Sequence, residues 1–403
     1  MKSIGPWLLA AVVLAGCQEQ LTTPADCPAL CPGGSAQTFD EVLPAIMGAD
    51  SSFRGYIQPF NAAALLVSNG LRGYEERAIV RFPARSDSVS VRDTLRTYTI
   101  DSVAFGLTLV ARDTNSTGLL VQLYRLPPVM DSTTTYAQVD PAFVPENLVT
   151  TIAVPDSVNT GTLRAVLQGP DLARVAIPPA DAGVLGLGIR IDAPAPTGVR
   201  LASSSSGAGA VFTTYATLNI PDTGTARLRT FTLVSAFNSS LAAVQPADDS
   251  TLLTIGGEPS SRAMLRFDLP PRIRDSAIVV RATLELTPMA PIPGLPTDPA
   301  RLRARAVLAD LGAKSPVESR FGTGADTVAA GNSGIVDIEV VRLMQQLWLA
   351  SPTRPTALVV SLDPDLEAAS FSRLVFHSTR AADSAVRPRL RVSYLRSFPF
   401  ENP

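Results

Sequence analysis

One alternating segment occurs twice in this chain, and nothing else restricts its fold as tightly. Arg262-Ala-Met-Leu-Arg-Phe-Asp-Leu-Pro270 sets Ala263, Leu265, Phe267 and Leu269 against Arg262, Met264, Arg266 and Asp268. The earlier copy, Arg77-Ala-Ile-Val-Arg-Phe-Pro-Ala84, sets Ala78, Val80, Phe82 and Ala84 against Arg77, Ile79 and Arg81. A period of two is a strand with one buried face.

The repeat extends well beyond that strand. Leu65 to Gly70 matches Leu252 to Gly257 just ahead of each copy. Asp101-Ser, followed by alternating Val103, Phe105, Leu107 and Leu109, answers Asp275-Ser with Val280, Ala282, Leu284 and Leu286. Leu120–Leu126 pairs with Leu302–Leu308, and Asn159-Thr-Gly161 with Asn332-Ser-Gly334. Val199–Ser203 and Tyr215–Leu218 mirror Ser372–Phe376 and Arg387–Leu390. Matches kept in order at a period of about 180 residues are a duplication. The boundary is expected within Pro221–Ala226, so residues 38–222 and 228–396 are expected to form one domain each.

A chain of 403 residues can bury two such cores. Its 27 Gly and 34 Pro fall between short apolar runs, as turns between many short strands would require. Antiparallel strands with one apolar face must stack on a second sheet. The expected fold is therefore all-β: two tandem antiparallel β-sandwiches of jelly-roll type. One amphipathic helix is predicted over Ile338–Leu349. There Val340, Val341, Leu343, Met344, Leu347 and Trp348 share an arc opposite Arg342, Gln345 and Gln346, and Pro352 stops it.

The N-terminus carries an address. Met1-Lys-Ser and the apolar Trp7–Ala15 form a signal peptide over residues 1–16, too short to span a bilayer as a mature helix. Leu14-Ala-Gly-Cys17 resembles a bacterial lipobox, which implies lipidation of Cys17 and stable membrane anchoring through its acyl chains. Gln18 in place of Asp favours the outer membrane by the same resemblance. Residues 17–37 read as a flexible tether, and Cys27 and Cys31 within it are expected to form a local disulfide.

Three features resemble the DNRLRE-type domain of bacterial and archaeal surface proteins, a relative of carbohydrate-binding modules. They are the Arg-x-x-x-Arg-Phe strand, the amphipathic helix ending near Trp348, and a closing Phe376-His-Ser-Thr-Arg…Arg387-Pro-Arg-Leu-Arg-Val-Ser-Tyr394. The second half fits along nearly its whole length, the first at its opening strands and its end. The resemblance implies a non-catalytic module that binds polysaccharide.

Catalytic constellations are lacking. A single histidine, His377, excludes most His-dependent catalysis and every multi-His metal site. Asp222-Thr-Gly224 stands alone, without the second carboxylate of an aspartic dyad. Asp113–Gly118 begins like a calcium loop but has Tyr124 where the bidentate Glu belongs, so it reads as a hairpin turn. Asp363, Asp365 and Glu367 read as solvated loop acids. A net charge of −2 gives no pull towards nucleic acid, and no cofactor or metal is expected.

One surface invites a ligand. Arg301, Arg303 and Arg305 alternate with Leu302, Ala304 and Ala306; Arg389 and Arg391 do so with Leu390 and Val392; Arg262 and Arg266 line a third strand. If some of these strands are neighbours in one sheet, their outward faces form a guanidinium field suited to carboxylates or sulfates. Pairing with Asp268 and Glu285 would instead neutralise it. The expected protein is thus an anchored envelope protein that binds an acidic polysaccharide, with a structural or protein-docking module as the alternative and a polysaccharide-degrading role as the second.

Overall fold

The computed structural model describes residues 38–71, 75–91, 93–177, 181–218, 227–243, 249, 251–319 and 324–396. The signal peptide, Cys17, Cys27, Cys31, Asp222 and the expected linker at 221–226 lie outside them. The described chain is all-β and antiparallel.

The first repeat opens with β1 (Thr38–Pro44) and β2 (Ser51–Arg54). It continues through β3 (Ala64–Asn69), β4 (Glu76–Phe82), β5 (Ser88–Val91), β6 (Thr94–Arg112) and β7 (Leu120–Leu126). β8 (Leu148–Ala153), β9 (Gly161–Gln168), β10 (Leu185–Asp192), β11 (Thr197–Ala202) and β12 (Val211–Leu218) complete it. The second repeat opens likewise with β13 (Arg227–Val234) and β14 (Phe237–Ala242), followed by β15 (Leu252–Gly256), β16 (Ser261–Arg266), β17 (Ala277–Leu286) and β18 (Ala300–Ala306). It closes with β19 (Gly324–Val328), β20 (Val336–Glu339), β21 (Ala357–Leu362), β22 (Arg373–His377) and β23 (Arg389–Arg396).

Strand order shows the duplication directly. The run β11-β3-β4-β10-β7-β8 in the first sandwich has the same order as β22-β15-β16-β21-β18-β19 in the second. The facing layers agree too: β13-β12-β6-β9 against β1-β23-β17-β20. The two layers of each sandwich enclose one apolar cluster, around Phe82, Phe105 and Phe212 in the first and Phe267, Trp348 and Phe376 in the second. They differ in one respect. β6, 19 residues long, reaches β11 and so joins both layers of the first sandwich, whereas β17 is 10 residues and stays in one.

Strand pairing runs across the expected domain boundaries. β1 pairs with β23, the last strand of the chain, from Thr38↔Leu395 to Pro44↔Arg389, and β2 pairs with β16. Conversely β13 pairs with β12, and β14 with β4. Each repeat's opening strand pair therefore sits on the other repeat's sandwich, one strand in each layer. The first sandwich draws its described strands from within 64–242, while the second, from 252–396, is completed from residues 38–54. Period and propensity describe strands but not their partners, so this exchange is a tertiary choice.

The N-terminal pair is locked by the closing motif of the second half. Asp50 is buried and accepts from the Thr379 amide at 2.9 Å, the Thr379 hydroxyl at 2.5 Å and Arg380 Nη1 at 3.3 Å. The Thr379 hydroxyl in turn accepts from the Gly48 amide at 2.9 Å.

Two local expectations change. The predicted helix is shorter: Ile338 lies in β20 opposite Leu284, one helical turn runs over Val341–Leu343, and a π-turn follows over Met344–Trp348. Pairing of β20 with β17 engages the backbone that the helix would have used. The predicted faces hold, with Leu343, Met344, Leu347 and Trp348 buried and Arg342, Gln345 and Gln346 exposed. The Asp113 loop is not a hairpin turn, because β6 and β7 do not pair; within it Asp113 Oδ1 accepts from the Asn115 amide at 3.0 Å.

Between the sandwiches lie Leu66, Leu295 and Phe371, and a patch of Ala62, Ala64, Ala368 and Ala369. Gly198 is needed there, since a Cβ would stand 2.9 Å from the Phe371 ring. Among these apolar contacts Arg200 Nη1 donates to Asp298 Oδ1 at 2.5 Å, both side chains being buried. Burial pushes the Asp298 carboxyl up and the Arg200 guanidinium down, each against the attraction of the other.

Asp50→Ala is expected to cost about 2–3 kcal/mol, because buried donors lose a charged acceptor. Hydrogen exchange should show β1 and β23 losing protection while β4 and β10 keep theirs; equal loss in both sandwiches would contradict this. Asp298→Ala should cost about 3–5 kcal/mol in urea unfolding, and Arg200→Met/Asp298→Leu clearly less, because the single variant strands a buried charge.

Candidate functional site

β18 places Leu302, Ala304 and Ala306 in the core and so turns Arg301, Arg303 and Arg305 outward. Across this layer Arg303 and Arg305 stand opposite Ser361 and Val359 of β21, and Val359 stands opposite Met264 of β16. Arg262 and Arg266 flank Met264. The structure thus gathers Arg262, Arg266, Arg301, Arg303 and Arg305 onto one face. Arg389 and Arg391 are on β23, in the opposite layer, and do not join that face.

The repeated strand itself is covered on both sides, contrary to the one-faced reading. Met264 packs with Val307, Ala357 and Val359 beneath Phe53 and Val317. Ile79, its counterpart, packs with Met130, Val139, Phe143 and Leu241. The covers come from the exchanged strand pairs and from connecting loops, neither of which the strand's own pattern reveals.

The paired arginines fasten these covers. Arg262 grips Glu367 with Nε at 2.7 Å and Nη2 at 2.8 Å, under the Tyr56 ring at 4.2 Å. Tyr56 donates onward to the Ala313 carbonyl at 2.7 Å. Arg266 grips Asp310 with Nε at 2.5 Å and Nη2 at 2.7 Å, and its Nη1 donates to the Ala49 carbonyl. Those two bonds hold the Asp310 carboxyl below the usual carboxylate range.

The first copy repeats this use. Arg77 binds Asp140 at 2.7 Å and Glu75 at 2.9 Å against the Phe143 ring, and Arg81 donates to the Met130 carbonyl at 2.7 Å. Two arginines four residues apart on one face can each take hold of a different covering segment. Glu367, read as a solvated loop acid, is buried against Arg262, and Asp363 accepts from Arg303 Nη2 at 3.1 Å. Both are sequence-distant from their partners, so only the folded chain reveals the pairing.

Arg305 differs from its neighbours. Half-buried, it makes no hydrogen bond or ion pair with any described residue, and its Nε is sealed from solvent without an acceptor. Burial, and then the positive charges of Arg262 and Arg303, push its guanidinium below the ordinary arginine range, against Glu367 and Asp363. Arg301 is exposed and likewise has no carboxylate within ion-pair distance among the described residues. Chemically, β18 offers two unpartnered guanidiniums astride a third that is lightly held.

In the opposite layer the neutralising alternative holds. Glu285 accepts from Arg389 Nε at 2.6 Å and from Arg391 Nε at 2.7 Å. Asp268 is 3.8 Å from Arg274 instead. His377 stands in β22 opposite Leu252, its backbone amide donating to the Thr287 carbonyl at 3.0 Å. Neither the protein-family models nor the curated proteins compared with this chain match it.

The Glu285 bridge generates a pH prediction. Burial raises its carboxyl, but hydrogen bonds from Arg391 and Arg389 outweigh this and hold it below the ordinary glutamate value. Its stabilisation is then complete above the unfolded value of about 4.3 and lost as pH falls towards the folded one. Glu285→Gln should cost about 1–2 kcal/mol at pH 7 and flatten the fall in stability below about pH 4. Denaturant unfolding across pH checks this; an unchanged acid limb in the variant would contradict it.

Proposed function

We propose that this chain is a lipid-anchored envelope protein whose second sandwich holds an acidic polysaccharide along β18 without converting it. The observation that carries this reading is that Arg301 and Arg305, on the same outward face as Arg303, have no hydrogen-bonding or ion-pair partner for their guanidiniums among the described residues. Residues two apart on a strand repeat at about 6.6 Å, so the three arginines leave the strand in a row on one face. Like charges in such a row repel, and a polymer bearing carboxylates or sulfates at regular intervals would relieve the repulsion by bidentate pairing. The likeness to DNRLRE-type modules supports the same substrate class, and the lipobox at Cys17 supports the membrane location.

The acid-paired state of Arg262, Arg266, Arg389 and Arg391 favours a second reading, a structural or protein-docking module. Binding of the full mature chain to immobilised polygalacturonate and dextran sulfate, with neutral dextran as control, separates the two. Wild type should bind both polyanions, more weakly at about 0.3 M salt than at about 0.05 M, as screened charges do. Arg301→Ala/Arg305→Ala should weaken binding at least tenfold, and Arg389→Ala/Arg391→Ala much less. Absence of binding by the folded wild type at low salt would leave the docking reading in its place.

A further inference from the structure

A third arginine whose guanidinium has no hydrogen-bonding or ion-pair partner among the described residues lies in the first sandwich. Where the chain leaves β4, residues 84–87 turn past the start of β6 and the segment leading into β10, enclosing a cleft of about 710 Å³. Arg85, Asp87, Tyr98, Ile100, Ile177 and Gly183 line it. That volume lies within the range of small-molecule sites. Close backbone contacts join two of the lining segments. The Arg85 amide donates to the Gly183 carbonyl at 2.8 Å, and a Cβ at Gly183 would stand 2.5 Å from the Arg85 carbonyl oxygen. Next to it Ala182 adopts a left-handed φ of 49°, uncommon for a residue with a side chain.

The Arg85 guanidinium has no hydrogen bond or ion pair with any described residue. Its Nη1 is sealed from solvent without an acceptor, and its carbon stands 5.8 Å from the Phe212 ring. Burial pushes this guanidinium below the ordinary arginine range, opposed only by the Tyr98 hydroxyl. Burial raises the Tyr98 hydroxyl, against the Arg85 charge and with a smaller push from Asp87, and that hydroxyl already donates to the Ser86 carbonyl. An arginine half withdrawn from water and left without an acceptor is costly unless an anion completes it.

We propose that this cleft binds a small monocarboxylate with an apolar body, its carboxylate on Arg85 and its body against Ile100 and Ile177. A planar carboxylate matches the guanidinium fork. A single arginine, with Asp87 in the same lining, limits the ligand to one negative charge. The site therefore differs in ligand class from the polyanion row of the second sandwich, and neither depends on the other.

Isothermal titration of the full mature chain tests this with benzoate as probe and benzamide, its neutral isostere, as control. Benzoate should bind with a Kd of about 1 mM and benzamide at least tenfold more weakly. Arg85→Gln should lose at least tenfold for benzoate while unfolding at the wild-type temperature. The comparison of the two probes on wild type stands even if that variant folds poorly. Equal binding of the two probes, no benzoate binding up to about 20 mM, or unchanged affinity in folded Arg85→Gln would each overturn the proposal.

Discussion

An edge strand offers unpaired amides and carbonyls that must be paired or covered, and this requirement organises the whole chain. β23 would be such an edge in the second sandwich, and β12 in the first. Each is paired by the opening strand of the other repeat. The first exchange is local, because β13 follows β12 in sequence. The second spans the chain, bringing Thr38 opposite Leu395. The second sandwich is thus complete only when residues 38–54 have returned to it. Buried Asp50, holding Thr379 and Arg380, fastens that return by a charge-assisted contact in a dry setting.

The exchange also explains the arginine motif. Strands inserted beside β4 and β16 bring residues over the outer face of the layer, so Ile79 and Met264 become buried on the side that a two-layer sandwich would leave wet. Arg77 and Arg81, and Arg262 and Arg266, then serve as clamps between strand and cover. Each combines a long apolar stem with a fork that fits a carboxylate or a carbonyl, a combination Lys does not offer. Arg301, Arg305 and Arg85 share the residue type, but their guanidiniums have no hydrogen-bonding or ion-pair partner among the described residues. That contrast, rather than the abundance of arginine, singles them out for ligands.

The two sandwiches are bound to each other by more than the crossing strands. A small apolar interface surrounds the Arg200–Asp298 pair, and Ser370 adds a hydroxyl to Asp298 at 3.2 Å. Buried pairs of this kind contribute little net stability but penalise any arrangement that leaves one charge alone. Such a pair suits an interface whose register matters, here between repeats similar enough to be docked wrongly.

Sequence by itself determined the alternating strands, the duplication, the all-β class and the inward set of Phe82, Phe267 and Trp348, because period and burial are local consequences of side-chain order. It also made the arginine rows legible as rows. Tertiary structure alone decided which strand pairs with which, since backbone hydrogen bonding carries no residue code; hence the opening strands cross over. It alone decided that Glu367 and Glu285 neutralise some rows and that the guanidiniums of Arg301, Arg305 and Arg85 find no hydrogen-bonding or ion-pair partner among the described residues. Charge pairing depends on distances across the fold, and those exist only once the layers are closed.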